Sequence, residues 1–265
     1  AFDFCFNLRS STPRVAVRKL SVTKVCYSML LSQSSSFLFL SGCSSGILTF
    51  MVKKSALFVL GTFTFLLFVF FSYLVAKDHF NQFDFDTTVR IQDKVSDRLS
   101  EFLSFFSLLG SAEVITVVIL VLALSLARRP LASVIALFSY FVVFVVGLSG
   151  KLFIEHAGPP FMFYHYKLDF LFPSSHVSTG NSYPSGHSAR TVFLSIILIM
   201  MILKSSKLTL PKLSAIVLLL AIDAFMLLSR VYLGEHWTSD VIGGTLLGLS
   251  MGFVGSAMLV GEKRK

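Results

Sequence analysis

Three short stretches of the chain concentrate side chains suited to acid–base and anion chemistry. In "SRVYLGEHWTSD", residues 229–240, His236 and Asp240 lie four apart. If a helix starts early they share a face, and the carboxylate can hydrogen-bond one imidazole nitrogen. That bond orients the ring and raises the basicity of its far nitrogen, which suits a nucleophile. Arg230, in the same stretch, carries a planar fork able to grip phosphate oxygens in pairs. In "YPSGHSAR", residues 183–190, Pro184 and Gly186 make a tight turn before an apolar run. Ser185 adds a hydroxyl, and the helix beginning near His187 adds unpaired N–H groups and a positive dipole end, together a seat for an anion. A plain N-cap is the other reading of Ser185. In "KLFIEHAGPPF", residues 151–161, Lys151 taken alone is an interfacial anchor reaching toward water. A His/Asp pair four apart is common by chance. Two histidines, several cations, a carboxylate and an anion-binding turn on one face of a protein are not.

The elements that must position these residues are membrane helices. Hydrophobic residues make up 54% of the chain and charged ones 14%, with 29 Phe, and the mean hydropathy is +0.78. A soluble domain cannot bury that much apolar surface. A spanning helix needs about 20 apolar residues to cross roughly 30 Å of hydrocarbon. Windows of that size predict six spans, over residues 55–76, 106–127, 130–150, 187–204, 212–230 and 240–260. Lys53, Lys54, Arg128, Arg129, Lys204, Lys207, Lys212, Lys263, Arg264 and Lys265 then all fall on one side. The positive-inside rule makes that side the cytoplasm, with both termini inside. The formal charge of +9 therefore belongs to membrane topology; a basic stripe with interleaved aromatics, as nucleic acid would need, is missing. The opposite face carries residues 77–105, 151–186 and 231–239, and chemistry is expected there. The expected fold is an all-α, six-helix bundle with the site facing outward from a bacterial-type inner (plasma) membrane.

Residues 1–50 differ from the rest: they hold all three cysteines (Cys5, Cys26, Cys43), one acid (Asp3) and many serines, and precede "MVKKSALF". They read as an upstream, targeting or disordered segment before a domain over 51–265. A transit peptide or a lipoprotein box at "LSGC" are the rival readings. With no cysteine after Cys43, residues 51–265 have neither a disulfide framework nor a thiolate metal site. Residues 77–105 mix Phe, Ile, Val and Leu with alternating charges at helical spacing, an amphipathic lid or spacer at the outer interface. Gly244, Gly248 and Gly252 form a stripe that lets helices approach closely.

Taken together, the three stretches resemble the signature of the type 2 phosphatidic acid phosphatase (PAP2) superfamily, K-x6-R-P, P-S-G-H and S-R-x5-H-x3-D. Pro184, Ser185, Gly186 and His187 match the second motif, and Ser229, Arg230, His236 and Asp240 the third. Lys151 and Pro159 match the first, but Gly158 stands where the family has arginine. The resemblance implies that His236 attacks phosphorus, that Asp240 orients it, and that His187 protonates the leaving oxygen and later activates water. It implies further that Lys151, Arg230, Ser185 and the Gly186 N–H hold the phosphate oxygens, with no metal or other cofactor. The usual carboxylate clusters for Mg²⁺ or Zn²⁺ are also missing from the sequence.

Arg190, three residues after His187, falls near the same helix face. It is expected to replace the arginine lost at Gly158, with His156 a weaker candidate; a plain pair with Glu155 or Glu235 is the alternative. His79, His165 and His176 read as surface or groove residues. Asp223, inside a span, reads as part of a buried polar network. "GPPFMFYHY", residues 158–166, reads as interfacial aromatics, with an acyl or prenyl entrance as the other reading. The expected function is removal of phosphate from a membrane lipid phosphate or pyrophosphate. A lipid phosphotransferase, or a catalytically impaired binding or transport protein, is the alternative.

Overall fold

The structure is a computed structural model describing residues 53–126, 129–170, 172–173, 180–204 and 208–260. The sequence readings on residues 1–50, Arg128, His176, Lys207 and Lys263, Arg264 and Lys265 lie outside the described residues. Long apolar runs form the principal helices: α1 (Lys54–Val75), α5 (Pro130–Phe153), α6 (Gly186–Leu203), α7 (Leu210–Tyr232) and α8 (Thr238–Val260). Between α1 and α5 stand α2 (Asn81–Lys94), a 3₁₀ turn (Asp97–Leu99), α3 (Ser100–Leu109) and α4 (Ala112–Ser125). Among the described residues five helices are long and apolar enough to cross a membrane, and α3 with α4 forms a pair bent by 45° that has the composition of a broken span or a re-entrant loop. The protein is thus an all-α integral membrane protein, without strands among the described residues.

The expected span over 106–127 is not one straight helix. The chain breaks at Gly110 and Ser111 and bends by 45°, and the Ser111 hydroxyl caps α4 by accepting the Val114 N–H at 3.3 Å. A cap inside an apolar run ends one helix and starts another, leaving the last carbonyls of α3 free for other donors.

Helices α6 and α8 are the most buried of the spans, and the glycine stripe is the reason they can be. A Cβ on Gly244 would run into the Ser185 carbonyl and lie 3.0 Å from Ser188 Cβ; one on Gly248 would lie 3.0 Å from Val192 Cβ, and one on Gly252 2.8 Å from Ile196 Cβ. Without a hydrophobic driving force between helices in lipid, such close backbone approach supplies the packing. It also brings the start of α6 against the start of α8, where the Ser185 N–H donates to the Asp240 carbonyl at 2.9 Å. Helix α1 runs antiparallel to α8: Gly61 meets Val254, and Ser72 bonds Tyr183 at 2.8 Å. Lys53 and Lys54 at the head of α1, and Lys204, whose amine bonds the Leu259 carbonyl at 3.1 Å, therefore lie at the bundle end away from Asp240.

Replacing Gly244 with Val should cost about 1–3 kcal/mol by overpacking and lower the thermal unfolding temperature in detergent. Gly147→Ala, whose Cβ would have Leu247 no nearer than 4.0 Å, should leave that temperature unchanged or slightly raised. Equal melting of the two variants would contradict this packing.

Candidate active site

Four helix ends meet at one end of the bundle: the C-termini of α5 and α7 and the N-termini of α6 and α8. The turn from α7 to α8 sets the tightest part of the arrangement. Gly234, at φ +68°, ends α7 in the left-handed conformation that favours glycine, and a Cβ there would strike the Phe163 carbonyl. The chain then folds back so that the Glu235 and His236 N–H groups both donate to the Arg230 carbonyl, at 3.2 and 3.1 Å.

Helix α8 starts at Thr238, two residues after His236, so the expected sharing of a helix face does not occur. The pair forms instead across the helix start. Asp240 reaches back to accept the Trp237 N–H at 3.0 Å, half of a capping box, and the same oxygen lies 3.2 Å from His236 Nδ1. The carboxylate fixes the tautomer: Nδ1 carries the proton and Nε2 presents a lone pair. Burial, then the charges of Lys151, Arg230, Arg190 and His156, hold the His236 ring well below the ordinary histidine range. His187, in the first turn of α6, lies within range of the charges of Arg230, Arg190, His236 and Lys151. Both imidazoles therefore face one set of cations.

Ser185 is the N-cap of α6. Its oxygen accepts from the Ser188 N–H at 3.4 Å and the Ser188 hydroxyl at 3.1 Å, which leaves its own proton to donate. Lys151, in the last turn of α5, donates to the Ser182 carbonyl at 3.5 Å. Arg230 is buried, bonded to Ser107 and paired with Glu235. Burial pushes the Glu235 carboxyl up, and Arg230 opposes it. Arg190 donates through Nη2 to the Gly110 carbonyl at 3.2 Å, the acceptor freed by the break before α4. Its Nη1 overhangs Gly186, 2.8 Å from where a Cβ would stand. Glu235 thus pairs with Arg230, not with Arg190 as the alternative reading allowed.

His156 takes a different place from the one its sequence position suggested. Its Nε2 lies 3.5 Å from Asp240 Oδ1, 3.7 Å from Asp84 Oδ2 and 3.3 Å from Ser239 Oγ. Burial lowers its pKa and Asp84 raises it. Asp84, from α2, accepts the Ser239 N–H at 2.7 Å and the Ser239 hydroxyl at 2.6 Å; burial raises its pKa against those bonds.

The sequence profile of the PAP2 superfamily matches residues 129–264, and all three stretches lie within that span. The chain belongs to the PAP2 superfamily. The crystal structure of a transmembrane PAP2-type phosphatidylglycerolphosphate phosphatase from Bacillus subtilis shares its fold, with a TM-score of 0.59 at 23% identity over 74% of this chain and 94% of that one. That of Aquifex aeolicus LpxE aligns with a TM-score of 0.49 at 19% identity, over 65% and 94%. No curated protein matches the chain.

Within this PAP2 domain, the residues singled out from sequence (His236, Asp240, His187, Ser185, Gly186, Lys151, Arg230 and Arg190) all stand at one end of the bundle. Gly158 has Ser182 as its nearest neighbour, 3.5 Å from where its Cβ would be. Asp223 is buried and accepts the Ser195 hydroxyl at 2.8 Å, a polar contact deep in the bundle. His79 is exposed, and His165 lies 2.9 Å from the Phe163 carbonyl. Phe161 and Met162 are strongly exposed, as interfacial apolar residues are. Among the described residues no group of three or more His, Cys, Asp or Glu side chains is placed to hold a metal ion. Asp84 and Ser107 were not legible as site neighbours, and Glu235 was read only as an alternative partner of Arg190. The one available signal was the acid directly before His236.

Because the folded site holds His236 below its ordinary value of 6.5, the ring stays neutral as pH falls through that value. The acid limb of kcat/KM that reports this group in the free enzyme should lie below pH 6.5 once the substrate's own ionisation is allowed for. A limb for this group at or above 6.5 would contradict the assignment. Unfolding returns the ring to its ordinary value, so this group also makes stability decline as pH drops through 6.5.

Proposed function

We propose that this PAP2 enzyme is a phosphatase that removes phosphate from a lipid monophosphate or pyrophosphate through a phosphohistidine at His236. The observation that carries the reading is the convergence of an Asp240-oriented imidazole with Lys151, Arg230, Arg190 and His187 at one end of a membrane bundle. A site at the ends of membrane helices is reached by amphiphiles diffusing in the bilayer, which favours a lipid substrate.

In the first step the Nε2 lone pair of His236 forms a bond to phosphorus as the P–O bond to the lipid breaks. The leaving oxygen takes a proton from His187. In the second step His187 removes a proton from water, the resulting hydroxide attacks phosphorus, and the P–N bond breaks. Inorganic phosphate leaves and both histidines are restored, with one water consumed. Throughout, Lys151, Arg230, Arg190, the Ser185 hydroxyl and the Gly186 N–H bear on the equatorial oxygens where charge builds. Arg190 fills the place left by Gly158, its guanidinium already lying over the Gly186 turn. The intact His236–Asp240 pair favours catalysis over a binding or transport role. The lysines at the opposite end of the bundle favour a site on the extracytoplasmic face.

Phosphate release by the purified protein from phosphatidic acid, phosphatidylglycerophosphate and a polyprenyl pyrophosphate, in EDTA, tests the reading. Turnover should persist in EDTA and fall on the order of 10⁴-fold or more in His236→Ala. Activity that vanishes in EDTA, or survives the substitution, would refute the mechanism. Phosphate appearing on a second lipid or sugar would instead indicate phosphotransfer. Arg230→Ala and Arg190→Ala should each lower kcat/KM about 10²-fold or more. If Arg190→Ala stays within a few-fold of the parent while Arg230→Ala is inactive, Arg190 does not replace the missing arginine.

A further inference from the structure

Helix α2 is half exposed, and the two side chains it fully buries, Asp84 and Thr88, are both polar. Burying a carboxylate is costly unless it is paired and hydrogen-bonded, so its position calls for a reason. Asp84 supplies an N-cap from outside to α8, holding the Ser239 N–H at 2.7 Å and the Ser239 hydroxyl at 2.6 Å. Thr87 adds a bond to Thr238 at 2.7 Å, so α2 is fastened to the first turn of the helix that bears Asp240.

The capping alone does not explain His156. Asp240 Oδ2 is engaged by His236 Nδ1 and the Trp237 N–H. Its Oδ1 makes no hydrogen bond; the Ser182 hydroxyl, which bears on the same carboxylate, donates to the His156 carbonyl. His156 Nε2 lies 3.5 Å from that oxygen and 3.7 Å from Asp84 Oδ2. The His156 ring is held in turn: its backbone carbonyl accepts from the Ser182 N–H and hydroxyl, at 2.8 and 3.0 Å, and the ring stands edge-on to Tyr183.

We propose that Asp84 and His156 are positioning residues for the reaction, forming a second carboxylate–imidazole pair that fixes Asp240 from behind. The proposal rests on the functional reading above, with His236 as nucleophile. A carboxylate bonded through one oxygen can swing about its Cβ–Cγ bond; a donor on the other oxygen stops that motion and keeps the His236 ring in its attacking orientation. The same donor lowers the basicity of Asp240, so the proton stays on His236 Nδ1 while phosphorus is bound at Nε2. Asp84, His156, Asp240 and His236, with both acids close to the one His156 nitrogen, then act as a connected unit between the interfacial helix and the nucleophile.

The test compares the full-length parent with Asp84→Asn, His156→Phe, their double variant and His156→Gln, with His236→Ala as reference. Each is assayed on whichever of phosphatidic acid, phosphatidylglycerophosphate and the polyprenyl pyrophosphate the parent turns over fastest. The phosphate seat is untouched in these variants, so KM and inhibition by inorganic phosphate should stay near the parent's while kcat falls about 10- to 100-fold. His156→Phe keeps the ring but removes the N–H; His156→Gln retains a donor and should recover part of the loss. The double variant should be no slower than the slower single one, because the pair acts as a unit. The proposal is overturned if His156→Phe keeps parental kcat, if the losses appear in KM, or if they multiply in the double variant. Should Asp84→Asn fail to fold for want of its cap, the two His156 variants decide. If the parent releases no phosphate, or His236→Ala matches it, the functional reading fails and this proposal falls with it.

Discussion

The Asp240 carboxylate is fully buried at the start of a membrane helix, and much of the site is organised by the need to satisfy it. A negative charge in such surroundings is tolerable only where donors converge. Here they are the Trp237 amide at the helix start and the imidazole of His236, both on one oxygen, with the His156 ring 3.5 Å from the other. The N-terminal end of the α8 dipole adds to the same effect. In satisfying the acid, these groups also fix the orientation of His236. The electrostatic demand of one group and the geometric demand of the proposed reaction are met by the same bonds.

Backbone proximity does the rest. The glycine stripe of α8 lets α6 lie against it closely enough for the Ser185 amide to reach the Asp240 carbonyl, so the turn at Ser185 and the acid paired with His236 are parts of one joint. The break between α3 and α4 serves a neighbouring purpose. It exposes a carbonyl that Arg190 takes, and α3 brings Ser107 to Arg230. A straight helix would have kept that carbonyl for its own ladder.

The parts of this arrangement that could be read from sequence are those whose partners are close along the chain. His236 and Asp240 are four apart, Ser185 and His187 flank one helix start, and apolar runs mark the spans. The glycine stripe was legible because four-residue spacing fixes a helix face. Asp84 was not, since its partner Ser239 lies 155 residues away and the alternating charges of its segment suggest only a solvated interface. His156 looked like a neighbour of the missing arginine because adjacency in the first motif says nothing about which way a ring turns. The bend at Gly110 escaped because a hydropathy window measures composition and is blind to direction. The local signal was present all the same: a glycine followed by a serine with an acid two residues on, in "LGSAEV", is a helix end followed by a helix start.

The reversal at Gly234 has a consequence for how this chain can vary. Because the amides of Glu235 and His236 share the Arg230 carbonyl as acceptor, the guanidinium that would hold an oxygen and the nitrogen that would attack phosphorus are pinned at opposite sides of a single loop. Adding or deleting even one residue between Val231 and Trp237 would rotate one relative to the other, and no substitution elsewhere could restore the register. The connection is thus constrained in length as well as at Gly234, whose left-handed backbone favours glycine.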